Sequence, residues 1–280
     1  MPEKTYQNER DIAVAAARAA GAEVLAIRHD GSFDVAYKAD DKGPVTTADL
    51  KSNEILRQQL MGAFPDDGWL SEETAEDHSR LERSRVWIVD PIDGTKEFVQ
   101  DIPEYCISVA LVEDGQPVVG VVFSPASDDL FVAVAGVGAW HNDQPIQADR
   151  KGREGKPLLA VSRSEVGKGK WQAFESQAEL RPAGSAAFKL CLVASGQVDG
   201  TMTLAPRNEW DIAAGVLIVA EAGGSASDRA AAPLAFNQAD PLKNGIAAAG
   251  IETKPAVYGI LSATLEDYPA VKTRRNPQAR

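Results

Sequence analysis

The residues best suited to chemistry stand in the stretch Arg85-Val86-Trp87-Ile88-Val89-Asp90-Pro91-Ile92-Asp93-Gly94-Thr95, where an apolar run ends in two carboxylates. Val86 to Val89 is a β-branched and aromatic run that reads as a strand. Pro91 has no N–H to give a ladder and Gly94 permits a turn, so the chain is expected to leave the sheet at Asp90. Asp90, Asp93 and the carbonyl of Ile92 would then offer three oxygens within one turn. Past it, Gly94-Thr95-Lys96-Glu97-Phe98 is expected to open a helix whose free amides and dipole would attract a phosphate. The competing reading is a polar turn without a ligand, since Asp, Pro and Gly are ordinary loop residues.

Two further acidic stretches bear on that choice. Leu70-Ser71-Glu72-Glu73-Thr74 places two adjacent acids after an apolar pair, and Glu209-Trp210-Asp211-Ile212-Ala213-Ala214-Gly215 sets Asp211 at the head of an apolar helix. Asp211 also suits a helix cap, and both roles can hold at once. Glu73 reads either as support for the site or as an exposed acid. The three histidines, His29, His78 and His141, lack metal-ligand spacing, and Cys106 and Cys191 form no CxxC, so a zinc site or disulfide framework is not expected. Carboxylate and carbonyl oxygens select magnesium or manganese instead.

In this order, the Glu-Glu pair, Asp-Pro-Ile-Asp-Gly-Thr and Trp-Asp-x-Ala-Ala resemble the lithium-sensitive, magnesium-dependent phosphomonoesterases that include inositol monophosphatases and 3'(2'),5'-bisphosphate nucleotidases, across residues 45–225. The resemblance implies two or three ions. Glu72, Asp90 and the Ile92 carbonyl would hold one, Asp90, Asp93 and Asp211 a second, and Glu72 with waters a third. It further implies a metal-activated water oriented by Glu72 and Thr95, with Asp49 bonding Thr95, and the amides of Gly94 and Thr95 around the phosphoryl group. Asp49 as a first-turn helix acid is the alternative.

Within the family, Lys96-Glu97-Phe98 and the run Gly184 to Ala194 look closer to the bisphosphate nucleotidase branch, which makes Ser185 and Lys189 candidates for a second phosphate, with Asp211 also facing substrate. The short Pro206-Arg207-Asn208-Glu209 segment departs from that branch and leaves Arg207 without an assigned role. Leu204 falls near where inositol-type enzymes carry an acid, so that branch is not well matched either. The implied substrate is adenosine 3',5'-bisphosphate or its sulfated analogue. Inositol 1-phosphate or another sugar or polyol phosphate, including histidinol phosphate, is the alternative, and a non-catalytic binding protein on the same fold is a remote one.

The chain has 280 residues, 44% of them hydrophobic, enough for a sizeable core. With 41 acids against 29 bases the net charge is -12, which argues against a nucleic-acid polymer as partner and leaves an anionic small molecule dependent on bound cations. The amino terminus mixes charges, with no apolar signal region, and no transmembrane run is present, so a cytoplasmic protein is expected. A homodimer is implied by the family alone.

To position the site, the spacing predicts a helix over 8–28 and a second helix that Val45-Thr46-Thr47-Ala48-Asp49 leads into and that runs through Leu60, with Thr46 or Thr47 as its cap. It predicts a hairpin of 107–112 with 118–123, extended by 130–134 and 138–141. The charged 150–157 stretch is the expected boundary between an N-terminal half, 1–155, carrying most metal ligands, and a C-terminal half, 156–280, supplying Asp211 and substrate contacts. After it come a strand at 158–162, helices at 169–180, 185–195 and 212–222, a strand at 198–204, a last strand at 246–249 and a last helix at 255–265. The tail from Lys272 is expected to fray. The resemblance implies a layered α/β/α/β/α sandwich with mixed sheets.

Overall fold

A computed structural model describes residues 5–38, 43–75, 78–149 and 155–267, with side chains to 263. The chain opens with a long helix, α1 (Gln7–Asp30), whose Ala13, Ala16, Ala17, Ala20, Gly21 and Val24 form one buried face at helical spacing. That small-residue face lets the helix lie close to its sheet. A Cβ on Gly21 would come within 2.5 Å of the Phe123 ring. Next follow a short antiparallel pair, β1 (Val35–Tyr37) and β2 (Pro44–Thr46), and helix α2 (Thr47–Ala63).

The larger sheet is built in chain order from β3 (Gly68–Ser71), β4 (Arg85–Asp93), β5 (Cys106–Glu113), β6 (Gln116–Ser124), β7 (Asp129–Val134), β8 (Gly138–His141) and β9 (Gln144–Pro145), with α3 (Thr95–Val99) between β4 and β5. Only β3 and β4 pair in parallel, and the rest is an antiparallel meander. The β5–β6 hairpin turns on Asp114 (φ 50°) and Gly115 (φ 79°), the left-handed pair that a two-residue turn requires. Pairing along β4 shifts between Asp90 and Asp93. The expectation that the chain leaves the sheet at Asp90 is therefore corrected: a bulge absorbs Pro91, and the strand resumes through Asp93.

The second sheet has the order β11-β10-β12-β16-β14. It comprises β10 (Leu158–Ser162), β11 (Glu179–Ala183), β12 (Gly200–Met202), β14 (Ser225–Ser227) and β16 (Ala247–Ala249), while β13 (Arg207–Asn208) pairs with β15 (Leu242–Lys243). Helices α4 (Arg163–Gly167), α5 (Ala186–Ala194), α6 (Glu209–Glu221) and α7 (Lys254–Asp267) complete the chain.

Alternation along the strands defines the layers. Trp87 and Val89 face α1 and α2, whereas Val86 and Ile88 join the cluster that includes Leu190 of α5 and Ile218 of α6. In the second sheet Ala160 and Ala248 turn to that same cluster, while Leu159, Val161, Ala247 and Ala249 turn to Val257, Ile260 and Leu261 of α7. The order is helix pair, sheet, helix pair, sheet, helix, which is the layered arrangement expected. The central cluster draws on both sides of the proposed boundary. Of that boundary stretch, 150–154 lies outside the described residues, as does the tail from Lys272.

Three elements differ from expectation. Residues 169–180 form no α-helix: Gly169 sits at φ 71°, one 3-10 turn spans Gln172–Phe174, and Glu179 onward is strand β11. Trp171, Phe174 and Ala178 have helical spacing but are buried by a folded loop against α7's cluster, and spacing cannot separate the two. The 198–204 strand is only Gly200–Met202. The third is the bulge in β4. Among the described residues no helix is long and apolar enough to cross a membrane.

The α6 helix crosses β6 so closely that a Cβ on Gly120 would lie 2.8 Å from the Ala214 carbonyl oxygen, a backbone atom that cannot swing away. Gly120→Ala should destabilise the protein by about 1–3 kcal/mol through overpacking, seen as a lowered midpoint in thermal unfolding. An unchanged midpoint would refute that contact.

Candidate active site

Asp90 ends the regular part of β4 and is 1% exposed. Its Oδ1 accepts from the Ile92 N–H at 3.0 Å, closing the bulge, and the Pro91 carbonyl is held by the Ser52 hydroxyl at 2.8 Å. Glu72 arrives on the turn after β3, the parallel neighbour of β4, and Asp211 comes from the first turn of α6, where it accepts from the Asn208 N–H at 3.2 Å. Asp211 thus caps its helix from inside while its carboxylate reaches the corner. Carboxylate oxygens of Glu72, Asp90 and Asp211 lie within 4.8 Å of one another.

Asp93 is not one of that trio. It lines the same cavity, of about 250 Å³, but its Oδ2 accepts from the Ser185 hydroxyl and the Ala187 N–H, both at 2.7 Å. Ser185, expected to contact substrate, also lines the cavity and gives its hydroxyl proton to Asp93, while the same oxygen accepts from the Phe188 N–H at 2.9 Å. The N-terminus of α5 therefore grips a carboxylate of the other sheet. Ile92 faces the cavity, and its carbonyl lies 3.1 Å from the Thr95 hydroxyl.

Thr95 Oγ1 is 2.9 Å from Asp49 Oδ1. The other oxygen of Asp49 accepts from the Thr46 N–H at 2.7 Å and the Thr46 hydroxyl at 2.6 Å. One carboxylate thus caps α2 and holds Thr95, so the two readings of Asp49 are both realised. Gly94 precedes Thr95 at φ 102°, and a Cβ there would lie 2.9 Å from the Glu104 carbonyl oxygen, so glycine is required on both counts.

Burial pushes the Asp90 carboxyl well above its ordinary range, and the charges of Glu72, Asp93 and Asp211 add to it. Asp211 is raised to about 8, by burial first and then by Asp93, with Arg207 opposing. Burial also raises Asp49, against its three hydrogen bonds. Neither Asp90 nor Asp211 forms an ion pair among the described residues. Clustered, desolvated carboxylates without a counter-ion are the donor set of a hard divalent cation, so these residues fit magnesium or manganese.

Lys38 was not singled out from the sequence, yet its ammonium lies 2.7 Å from Glu72 and 2.5 Å from Glu73. Its own burial works against the charge, but the two carboxylates outweigh that and raise its pKa. Glu73, raised by burial, thus partners Lys38 at the edge of the site. Nothing short of the folded loop would have linked a lysine 34 positions away to this pair.

Lys189 and Arg207 line the same cavity. Lys189 is 2% exposed, donates to the carbonyls of Gly184 (3.2 Å) and Ser185, and is brought down to about 8 by burial and then by the charge of Arg207. Neither cation has a carboxylate partner within ion-pair range among the described residues. Among the described residues no aromatic side chain lines the cavity, whereas Glu97, Ser162 and Ser164 do. The histidines are elsewhere: His29 and His78 are exposed, and His141 pairs with Asp129 at 2.6 Å and stacks on Phe131. Both cysteines are free and buried.

Acids converging on the bulge of β4 from three elements, a threonine held by a helix-cap aspartate and a cavity lined by polar groups are what a metal-dependent phosphomonoesterase site would need. The chain matches the profile of the Inositol monophosphatase family over residues 5–267, and it belongs to that family of phosphatases. It is 38% identical over 200 residues to an inositol-1-monophosphatase of Rhizobium meliloti, covering 67% of this chain and 74% of the relative. It is 33% identical over 233 residues to the 3'(2'),5'-bisphosphate nucleotidase CysQ of Escherichia coli, covering 81% and 94%. An IMPase of Thermotoga maritima superposes with a TM-score of 0.81 at 28% identity, covering 94% of this chain and all of that one, 100%.

The folded Asp211 keeps its proton up to about 8, whereas an ordinary aspartyl carboxyl releases it near 3.8. Between those values the native state binds more protons than the unfolded one, so stability of the metal-free protein should fall as pH rises through the window. Thermal unfolding across pH should show this slope, Asp211→Asn should flatten it, and saturating magnesium should do the same. A slope of the opposite sign would contradict the burial of these acids.

Proposed function

We propose that this protein hydrolyses the 3'-phosphate of adenosine 3',5'-bisphosphate or of its sulfated analogue, with magnesium as cofactor. The observation that carries the choice of substrate is the buried Lys189 with Arg207 beside it, two cations without carboxylate partners among the described residues, on the wall of a cavity that also holds the acid cluster. Carbonyls accept from the Lys189 ammonium but do not balance its charge, and a second phosphate or a sulfate would do so.

In this reading Glu72, Asp90 and Asp211 hold the divalent ions, with Asp93 and the Ile92 carbonyl as further oxygens on the same wall and manganese as a substitute. Bound there, the ions offset the charge of the phosphate dianion and make a water acidic enough to attack. Thr95 gives its proton to Asp49, so its lone pairs are left to accept from that water and aim it. Glu72 accepts from the same water. The amides of Gly94 and Thr95 hold phosphoryl oxygens. As the new P–O bond to the water oxygen forms, the ester P–O bond breaks, and the leaving alkoxide takes up one proton in place of the one the attacking water gives up, so that the products are the free hydroxyl and inorganic phosphate. Division of labour follows the chain: residues before 155 supply most metal ligands, and those after 156 supply Asp211 and the cationic wall.

A second reading, hydrolysis of inositol 1-phosphate or another sugar or polyol phosphate, including histidinol phosphate, is favoured by a different observation. The cavity offers the Glu97 carboxylate and the hydroxyls of Ser162 and Ser164 but, among the described residues, no aromatic platform for a base. Burial raises the Glu97 carboxyl, and such a group accepts well from a substrate hydroxyl.

Phosphate release should be measured from both substrate classes with and without magnesium. Asp90→Asn should lower kcat by about 10²–10³-fold on either class. Arg207→Gln should raise KM for the bisphosphate about tenfold, the loss of one charge-assisted hydrogen bond, and lower its preference over inositol 1-phosphate. A wild-type preference for inositol 1-phosphate would overturn the nucleotidase reading in favour of the second.

A further inference from the structure

Glu165 is 5% exposed, lies outside the acid cluster and is not used in the reaction above. It sits in α4, directly after Ser162 and Ser164 of the cavity wall. Its carboxylate receives three N–H donors: Oε1 accepts from the amides of Leu204 (3.2 Å) and Ala205 (3.1 Å), and Oε2 accepts from the Trp171 indole at 3.1 Å. Leu204 and Ala205 immediately precede Pro206 and Arg207, which line the same cavity. The opposite edge of this segment is also held, because buried Arg229 donates to the Leu204 carbonyl at 2.8 Å and the Thr203 hydroxyl donates to the Ala205 carbonyl at 3.1 Å.

A two-residue stretch whose amides and carbonyls are all bonded, followed by a proline of fixed φ, has little freedom left. Arg207 leaves it at a set angle. Its Nε has no partner of its own, so the guanidinium is aimed by its backbone and not by a side-chain network. We propose that Glu165 is a positioning residue for substrate selectivity: it fixes the 204–206 segment to the β10–α4 junction and thereby orients Arg207 toward the second anion of the substrate. This rests on the second-anion reading above.

The carboxylate matters because it accepts on both oxygens. In Glu165→Gln one oxygen becomes an NH2 donor facing either two amides or an indole N–H, so one end of the brace must open. The experiment compares wild type, E165Q and R207Q on adenosine 3',5'-bisphosphate and on inositol 1-phosphate, with kcat and KM separated. E165Q should raise KM for the bisphosphate about tenfold, with kcat within about twofold and inositol 1-phosphate kinetics and the magnesium activation constant within the same margin. Equal losses on both substrates would show a general folding role and overturn the proposal. If R207Q changes bisphosphate KM and folded E165Q does not, the brace fails alone. If R207Q itself changes nothing, the second-anion reading has failed and the proposal with it. Should E165Q not fold, Trp171→Phe removes a single donor to the same carboxylate. It should shift the preference in the same direction by about twofold, and an unchanged preference in folded W171F would overturn the proposal.

Discussion

Everything in this molecule is arranged around carboxylates that repel one another in a poorly solvated corner. Asp90 and Asp211 are raised by burial and by neighbouring carboxylates, and among the described residues no cation pairs with either. Bringing such groups together opposes folding, and the loss falls to zero only when protons or a divalent ion supply the missing charge. Three rigid supports hold them regardless. Asp90 is closed into a bulge by its own Ile92 amide, Asp211 is bonded into the first turn of α6, and Asp93 is gripped by the start of α5. Each support is a backbone N–H, which cannot relax away as a long side chain could.

The layers explain why those supports converge. Helices α5 and α6 are apolar on nearly every side and lie between the two sheets, so their N-termini are fixed by both. Gly120 and Gly215 let α6 approach β6 and α5 at backbone distance: a Cβ on Gly215 would lie 2.6 Å from Leu190. The tight crossing turns a helix end into a component of a site built mostly on the other sheet. Asp211 and Ser185 are distant in sequence from Asp90 and Asp93, yet their positions are set by core packing and not by loops.

What could be read from the residues alone follows from this. The acid motifs, the strand that carries Asp90, the β5–β6 hairpin and the buried helices were legible because each has a local signature: β-branched runs, an Asp-Gly turn, helical spacing of small residues. The bulge was not, since proline after an aspartate signals the end of a strand as readily as an interruption. The loop at 168–178 was not either, because aromatic residues three apart fit a helix and a folded loop equally. At the site, the Asp49–Thr95 bond could be anticipated only through the resemblance. Lys38, the Ser185–Asp93 bond and the placement of Arg207 depend on contacts between segments that no spacing links.

The same distinction separates reaction from selectivity. The acids that would hold an ion sit on elements whose geometry is dictated by sheet pairing and helix caps. The cationic wall rests on less regular chain: the α5 N-terminus with Ser185 at φ 51°, and the 203–207 segment leading into a two-residue strand. Between the Thr203 amide, which bonds the Ile246 carbonyl, and the short β13–β15 pairing of Arg207 with Lys243, the residues 204–206 have no ladder of their own, so side chains reaching in from elsewhere fix them. On the proposed reading, selectivity would change by altering a brace as well as by altering the residue that touches substrate, with the acid corner untouched.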